Sequence, residues 1–325
     1  MRCLTLAEEL AIRGHEVQLA TGAIEIAWLD ETVRSANLTV QEAEPEGLSL
    51  GQIRDLDPDW LVVDSYQIPA GLISAAAREM PVLAIVDGDE RSIDASLYLD
   101  QNLGAESIAR RPETAGRYLA GADYALVRRA VLDARRSEPW HIHGDRPNVL
   151  CFMGGADSTG SVVELARALA ALPQPFELTI VAPVAHHADL RVALANRNDR
   201  RILAPTPGLP ALMAAADVII SAAGTSAWDI CTLGIPAVLI AVVDNQRASL
   251  HEAVNRGLAL GLDAVDRPIE ALRGVGPLVG RLLDDQAVRK QLSLAARATF
   301  DGCGASRVAD RLEAGTVPDS GSVAR

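Results

Sequence analysis

Val218-Ile219-Ile220-Ser221-Ala222-Ala223-Gly224-Thr225-Ser226-Ala227-Trp228-Asp229-Ile230 decides the fold. It opens on an apolar run, which suits a strand covered by helices on both faces, as in parallel sheets. Small residues and a glycine then turn the chain, and apolar positions return at helical spacing. A strand, a tight turn and a helix in that order form one unit of an α/β sheet. Gly224, Thr225 and Ser226 fall in the first helical turn, beside Ser221 at the strand's end. Unspent amides, hydroxyls and the positive end of the helix dipole suit a diphosphate there. Asp229 lies one turn further on, where a carboxylate can accept from ribose hydroxyls; its plainer use is a first-turn acid that complements the dipole.

The pattern continues in both directions. Downstream, Ala237-Val238-Leu239-Ile240-Ala241 is another apolar strand, and Asn245 and Gln246 follow just before a helix. Side-chain amides both donate and accept, which suits sugar hydroxyls or a base edge; Asn245 also suits a helix N-cap. Upstream, Val149-Leu150-Cys151-Phe152-Met153 runs into Gly154, Gly155 and Asp157. Glycines at a strand's carboxyl end let backbone amides approach a phosphate, although a plain strand-to-helix turn reads the same way. Further strands are expected at residues 16–20, 38–42, 60–64, 82–87, 122–127, 176–181 and 201–203. The fold class is therefore α/β with parallel sheets.

The organisation breaks once, at SEPWHIHGDRP, residues 137–147, where prolines, a glycine and mixed polar residues fit a linker. Two domains are expected, at 1–137 and 148–315, joined by a linker at 138–147 and followed by a flexible tail at 316–325. The first opens on a helix closed by Gly14, whereas a doubly wound domain begins with a strand; its first strand is expected to be missing from the chain.

Composition bounds the function. The 325 residues are about two domains' worth, and 49% hydrophobic content supports packed cores. The net charge of -13 repels phosphate backbones, so no nucleic-acid partner is expected. Cys3, Cys151, Cys231 and Cys303 form no CxxC pair, which argues against a zinc site or redox dithiol. No metal and no cofactor are expected. No apolar stretch reaches the roughly 18–20 residues that span a bilayer, and the start is not a signal peptide. The expected location is the cytoplasm, without stable membrane insertion.

Six stretches carry a resemblance: MRCLTLAEELAIRGHEV (1–17), LVVDSY (61–66), LYLDQNLG (97–104), DYALVRR (123–129), FMGGAD (152–157) and SAAGTSAWDICTLGIPAVLIAVVDNQ (221–246). Through them the chain resembles the nucleotide-sugar hydrolases of pseudaminic acid synthesis (PseG) and the related spore-coat polysaccharide proteins (SpsG). It is more distantly similar to the MurG glycosyltransferases. The resemblance implies a GT-B fold, two Rossmann-like domains whose parallel sheets face across a cleft. It also implies metal-free hydrolysis of a UDP-linked deoxy-amino sugar at its anomeric carbon. Gly154, Gly155 and the 221–226 turn would hold the diphosphate. Asp229 stands where the family has a glutamate for the ribose, one methylene longer. Asn245 matches the family's asparagine before glutamine, and Tyr66 matches a tyrosine on the sugar side that helps order the attacking water. The family's general base is a histidine in a glycine-rich loop ahead of the residue matching Met1; this chain does not contain it.

Few other residues suit that role. His15 reads as a surface turn residue, His141 and His143 as linker, His186 and His187 as a solvated pair, and His251 as structural. Asp87, at a strand's carboxyl end beside Asp89, is the remaining candidate for water activation or sugar contact, and a base there needs a raised pKa. Two further readings stay open: a glycosyltransferase using the same UDP-sugar donor, and a non-catalytic nucleotide-sugar binder.

Overall fold

Helix Arg2–Ile12 opens the chain, and twelve strands follow among the described residues, every pairing between them parallel. The computed structural model describes residues 1–22, 30, 32–34, 36, 38–88, 93–109, 117–137, 146–154 and 160–315. Two compact units emerge: Met1–Val127 together with Gly302–Arg325, and Arg128–Asp301.

In the first unit, β1 (Gln18–Thr21) and β2 (Thr39–Glu42) pair with each other alone. β3 (Leu61–Val63), β4 (Val82–Ile85), β5 (Leu97–Asp100) and β6 (Tyr118–Ala120) form a four-stranded sheet in that order. Among the described residues no ladder joins β1 to β3. Alternate residues of a strand point to opposite faces, and this sheet buries both. Leu83, Ile85, Leu97, Leu99 and Leu119 pack with Leu6 and with Ala305, Val308 and Leu312 of helix Gly304–Glu313. Val63, Val82 and Ala84 pack with Ile73 and Ala76 of helix Ala70–Ala76.

The sheet departs from the sequence reading in three places. The stretch 122–127 is buried but is no strand: Ala122–Tyr124 forms a 3-10 turn, and the Leu126 amide donates to Gln101 Oε1 at 2.9 Å. A side-chain amide takes the bond a neighbouring strand would have made. The true strands β5 and β6 lie just upstream. Helix Gly304–Glu313, which the sequence reading assigns to the second half, belongs to the first unit. The linker falls outside the described residues apart from Arg146 and Pro147, and the expected tail falls outside them entirely.

The second unit holds β7 (Asn148–Phe152), β8 (Glu177–Val181), β9 (Arg200–Leu203), β10 (Val218–Ala222), β11 (Ala237–Ala241) and β12 (Leu260–Asp263). Their order across the sheet is β12-β11-β10-β7-β8-β9. The chain thus builds outward from β7 in one direction, then returns to its other side at β10. On one face Val149, Cys151, Ile220 and Val238 meet Val162, Leu165 and Leu169 of helix Ser161–Ala170, and Val279 and Leu282 of helix Val275–Asp284. Helix Ser226–Leu233 is buried from Ala227 to Leu233, and Trp228 stacks on Phe300 with ring centroids 5.1 Å apart. β12 escaped the sequence reading because Gly261 interrupts it. A side chain at Gly261 would sit 2.4 Å from Val254 Cγ2.

Candidate functional site

Ligands in open α/β sheets bind beyond the carboxyl ends of the strands, where the strand order reverses. In the second unit that place lies between β7 and β10. Their register sets Phe152 beside Ser221, so Gly154 leaves β7 next to the turn that leaves β10. Gly154 takes φ +84, a backbone conformation that favours glycine. Gly155 and Asp157 lie outside the described residues.

The turn after β10 is anchored from the third segment. Ala223 N donates to Ile240 O at 2.7 Å, which ties the turn to β11. Gln246 Oε1 accepts from Val242 N at 2.9 Å, and Gln246 Nε2 would lie 3.6 Å from a Cβ on Gly224. The three segments picked out in the sequence therefore meet around one strand-end surface. Ala227 N and Trp228 N close back on Gly224 O and Thr225 O. The amides of Gly224, Thr225 and Ser226 make no hydrogen bond among the described residues, and they sit at the positive end of helix Ser226–Leu233. Ser221 differs from expectation: it is fully buried inside β10, and its Oγ has no partner. Asn245 is exposed and caps nothing, since helix Arg247–Asn255 has Gln246 at its N-cap without a side-chain bond.

Asp229 is placed differently from a residue held open for ribose. It is 6% exposed, and its Oδ2 accepts from Arg128 Nη2 at 3.1 Å. Burial pushes the Asp229 carboxyl above the ordinary aspartate value, while the Arg128 charge and hydrogen bond pull against it. Arg128 is a residue the sequence reading passed over. Its signal was present in the DYALVRR stretch, but nothing there pointed to a partner 101 residues away.

The first unit carries a separate polar network at the carboxyl ends of β3, β4 and β5. Arg2 donates through Nε and Nη2 to Asp64 Oδ2 and Oδ1 at 3.1 and 2.5 Å. Its Nη1 donates to Asp87 Oδ1 at 2.5 Å. Asn102 Nδ2 donates at 2.9 Å to both Asp87 and Asp100, and Asp100, 2% exposed, also accepts from Gly88 N at 2.9 Å. Tyr66 OH donates to Asp87 Oδ2 at 2.8 Å, and the residue is 58% exposed.

These contacts decide the charge states. Burial works to raise the Asp87 carboxyl, but the Arg2 bond and charge, with Asn102 and Tyr66, outweigh it and hold the group below the ordinary aspartate value. A general base needs a pKa near the working pH, so the network makes Asp87 an ionised anchor instead. Asp100 goes the other way: burial raises it, against the hydrogen bonds from Asn102 and Gly88. Asp89 lies outside the described residues.

Two of the histidines have partners elsewhere. His15 contacts Glu313 Oε1 at 2.9 Å. His187 contacts the Ala182 carbonyl at 3.0 Å, so it is not a purely solvated residue. His141 and His143 lie outside the described residues. Burial pushes the Cys231 thiol up to about 12, which leaves it inert at neutral pH. Among the described residues no cluster of His, Cys, Asp and Glu is placed to hold a metal ion. No helix among them is long and apolar enough to cross a membrane.

No protein-family model matches the chain. The spore coat polysaccharide biosynthesis protein SpsG of Bacillus subtilis (strain 168) is 24% identical over 291 residues, covering 84% of this chain and 81% of SpsG. Acinetobacter baumannii MurG superposes with a TM-score of 0.67 at 16% identity, over 96% of this chain and 95% of that one. The spinosyn rhamnosyltransferase SpnG complexed with thymidine diphosphate gives 0.63 at 17%, over 95% of each chain. UDP-GlcNAc 2-epimerase from Neisseria meningitidis, bound to UDP-GlcNAc, gives 0.61 at 14%, over 97% of this chain and 98% of that one. The chain has the GT-B fold, an α/β architecture of two Rossmann-like units built on parallel strands, and is similar in sequence to SpsG.

Proposed function

We propose that this chain is a nucleotide-sugar hydrolase that releases UDP from a UDP-linked deoxy-amino sugar. The observation that carries the reading is the strand-end surface between β7 and β10, where Gly154, three unspent amides and the side-chain amide of Gln246 converge. Such a surface suits a diphosphate without any cation, because oriented N–H groups and a helix terminus supply the positive potential. In the reaction, water attacks the anomeric carbon, the C–O bond to the diphosphate breaks, and the electron pair leaves with UDP. The same amides would stabilise the charge that grows on the leaving group. The water's proton goes to a base, a role the resemblance gives to a histidine. Asp87, already accepting from Arg2, Asn102 and Tyr66, is badly placed to fill it.

A glycosyltransferase using the same donor is the second reading, favoured by the fold shared with MurG and SpnG. An acceptor hydroxyl would then replace water. Assaying UDP release from UDP-sugars with and without added acceptors separates the two. Release without acceptor is expected, and release that strictly requires one sinks the hydrolase reading. Asn245→Ala should weaken UDP binding several-fold, about 1 kcal/mol for one lost hydrogen bond; unchanged affinity by calorimetry would show that the nucleotide binds elsewhere.

A further inference from the structure

Rossmann-type sites read a ribose with an acid whose carboxylate accepts from its hydroxyls. In the second unit the acid of the first turn of helix Ser226–Leu233 is Asp229. It follows Ser226 by three residues, about 4.5 Å of helix rise. Helical side chains lean toward the N-terminus, which here carries the free amides of Gly224, Thr225 and Ser226. A nucleoside diphosphate held on those amides would bring its pentose to this carboxylate. The carboxylate, however, is already committed. Its Oδ2 accepts from Arg128 Nη2 at 3.1 Å, and the two side chains are only 9 and 18% exposed. Oδ1 makes no hydrogen bond among the described residues. Both partners belong to the second unit, so the pair is part of the same framework as the amides.

We infer that Arg128 sets the nucleotide selectivity of this site: by holding Asp229 Oδ2 it stops the carboxylate from gripping both ribose hydroxyls, so diphosphates of 2′-deoxyribonucleosides are taken as readily as those of ribonucleosides. This rests on the nucleotide-sugar reading and deepens it by naming the substrate class, nucleoside diphosphate sugars of either pentose. A carboxylate clamps a ribose by setting one oxygen on the 2′ hydroxyl and the other on the 3′. With Oδ2 spent, one oxygen is left, and it can serve the 3′ hydroxyl that both pentoses carry. Drawing Oδ2 away from Arg128 would leave two mostly buried charges unpaired, which costs more than a single hydroxyl returns. The short aspartate arm also cannot keep the guanidinium and stretch to the far hydroxyl together.

The test titrates the whole chain by calorimetry with UDP and with 2′-deoxy-UDP, which differ only in the 2′ hydroxyl. A hydrogen bond from that hydroxyl to a free carboxylate is worth about tenfold or more in affinity. The two affinities should instead agree within about threefold, and UDP binding tighter than deoxy-UDP by more than that margin would overturn the inference. Asp229→Glu supplies the converse. Its extra methylene lets one oxygen stay on Arg128 while the other reaches the ribose, so this variant should gain a preference for UDP of about tenfold. A variant that melts as wild type does and still binds both nucleotides equally would show that residue 229 does not face the pentose, and the inference would be wrong. If the variant fails to fold, the wild-type comparison decides alone. If neither nucleotide binds wild type, the nucleotide-sugar reading itself falls; strong preference for UDP leaves that reading standing and removes only this one.

Discussion

One methylene separates Asp229 from the glutamate expected at its position, and the shorter side chain is turned to Arg128. Removing the carboxylate leaves a guanidinium without its counter-charge in a site where both side chains are mostly buried. Asp229→Ala should therefore lower the unfolding free energy by about 3 kcal/mol, measured by denaturant titration; a loss under about 0.5 kcal/mol, the range of neutral surface changes, would refute the structural role. Asp87 makes a pH prediction of opposite origin. Its folded-state pKa lies below the ordinary 3.8, so its contribution is complete above that value and drains away as pH falls through the folded one. The stability gap between wild type and Asp87→Asn should be flat above about pH 5 and narrow below about pH 4. A gap unchanged down to about pH 2.5 would mean that Asp87 gains no proton-linked stability from its partners. None of these pairings could be read from the sequence. Asp87 and Tyr66 were picked out singly and Arg2 not at all, and only the fold brings the three within hydrogen-bond reach.

Elements were legible in proportion to their burial. β10 and β11 are buried along their whole length, so their apolar runs stood out and the turns after them could be located to within a residue or two. β5 and β6 have four and three residues, too few to show a period, and the buried 122–127 stretch beside them carried the stronger apolar signal. Burial was read correctly there, but the hydrogen-bond partner was not. The sequence reading took residues 304–313 with the second half, whereas helix Gly304–Glu313 docks on the first through a contact that leaves no pattern. Gly304 lies so close to the 124–125 backbone that a Cβ would sit 2.2 Å from Ala125 O and 2.6 Å from Ala125 N. Backbone cannot swing aside as a long side chain can. Gly304→Ala should therefore cost about 2 kcal/mol or more, read as a lower unfolding midpoint. A midpoint equal to wild type would mean that this helix does not seat so closely.

At the scale of the whole molecule, alternation of strands and helices gave the α/β class, and the two-fold grouping of strands gave two units. The membership of the units was less visible, since the first is completed by a helix from the far end of the chain. That return visit orders events in time. Ala305, Val308 and Leu312 belong to the same buried cluster as Leu6, Leu83 and Leu97, so one face of the earlier-made sheet waits for a helix synthesised well after it. At about 5–20 residues per second, roughly 200 intervening residues keep that leucine-rich face uncovered for about 10–40 s. The second unit, contiguous from Arg128 to Asp301, needs nothing that comes after it. Of the two units, the one begun first is thus completed last, and until then its uncovered leucines are open to aggregation.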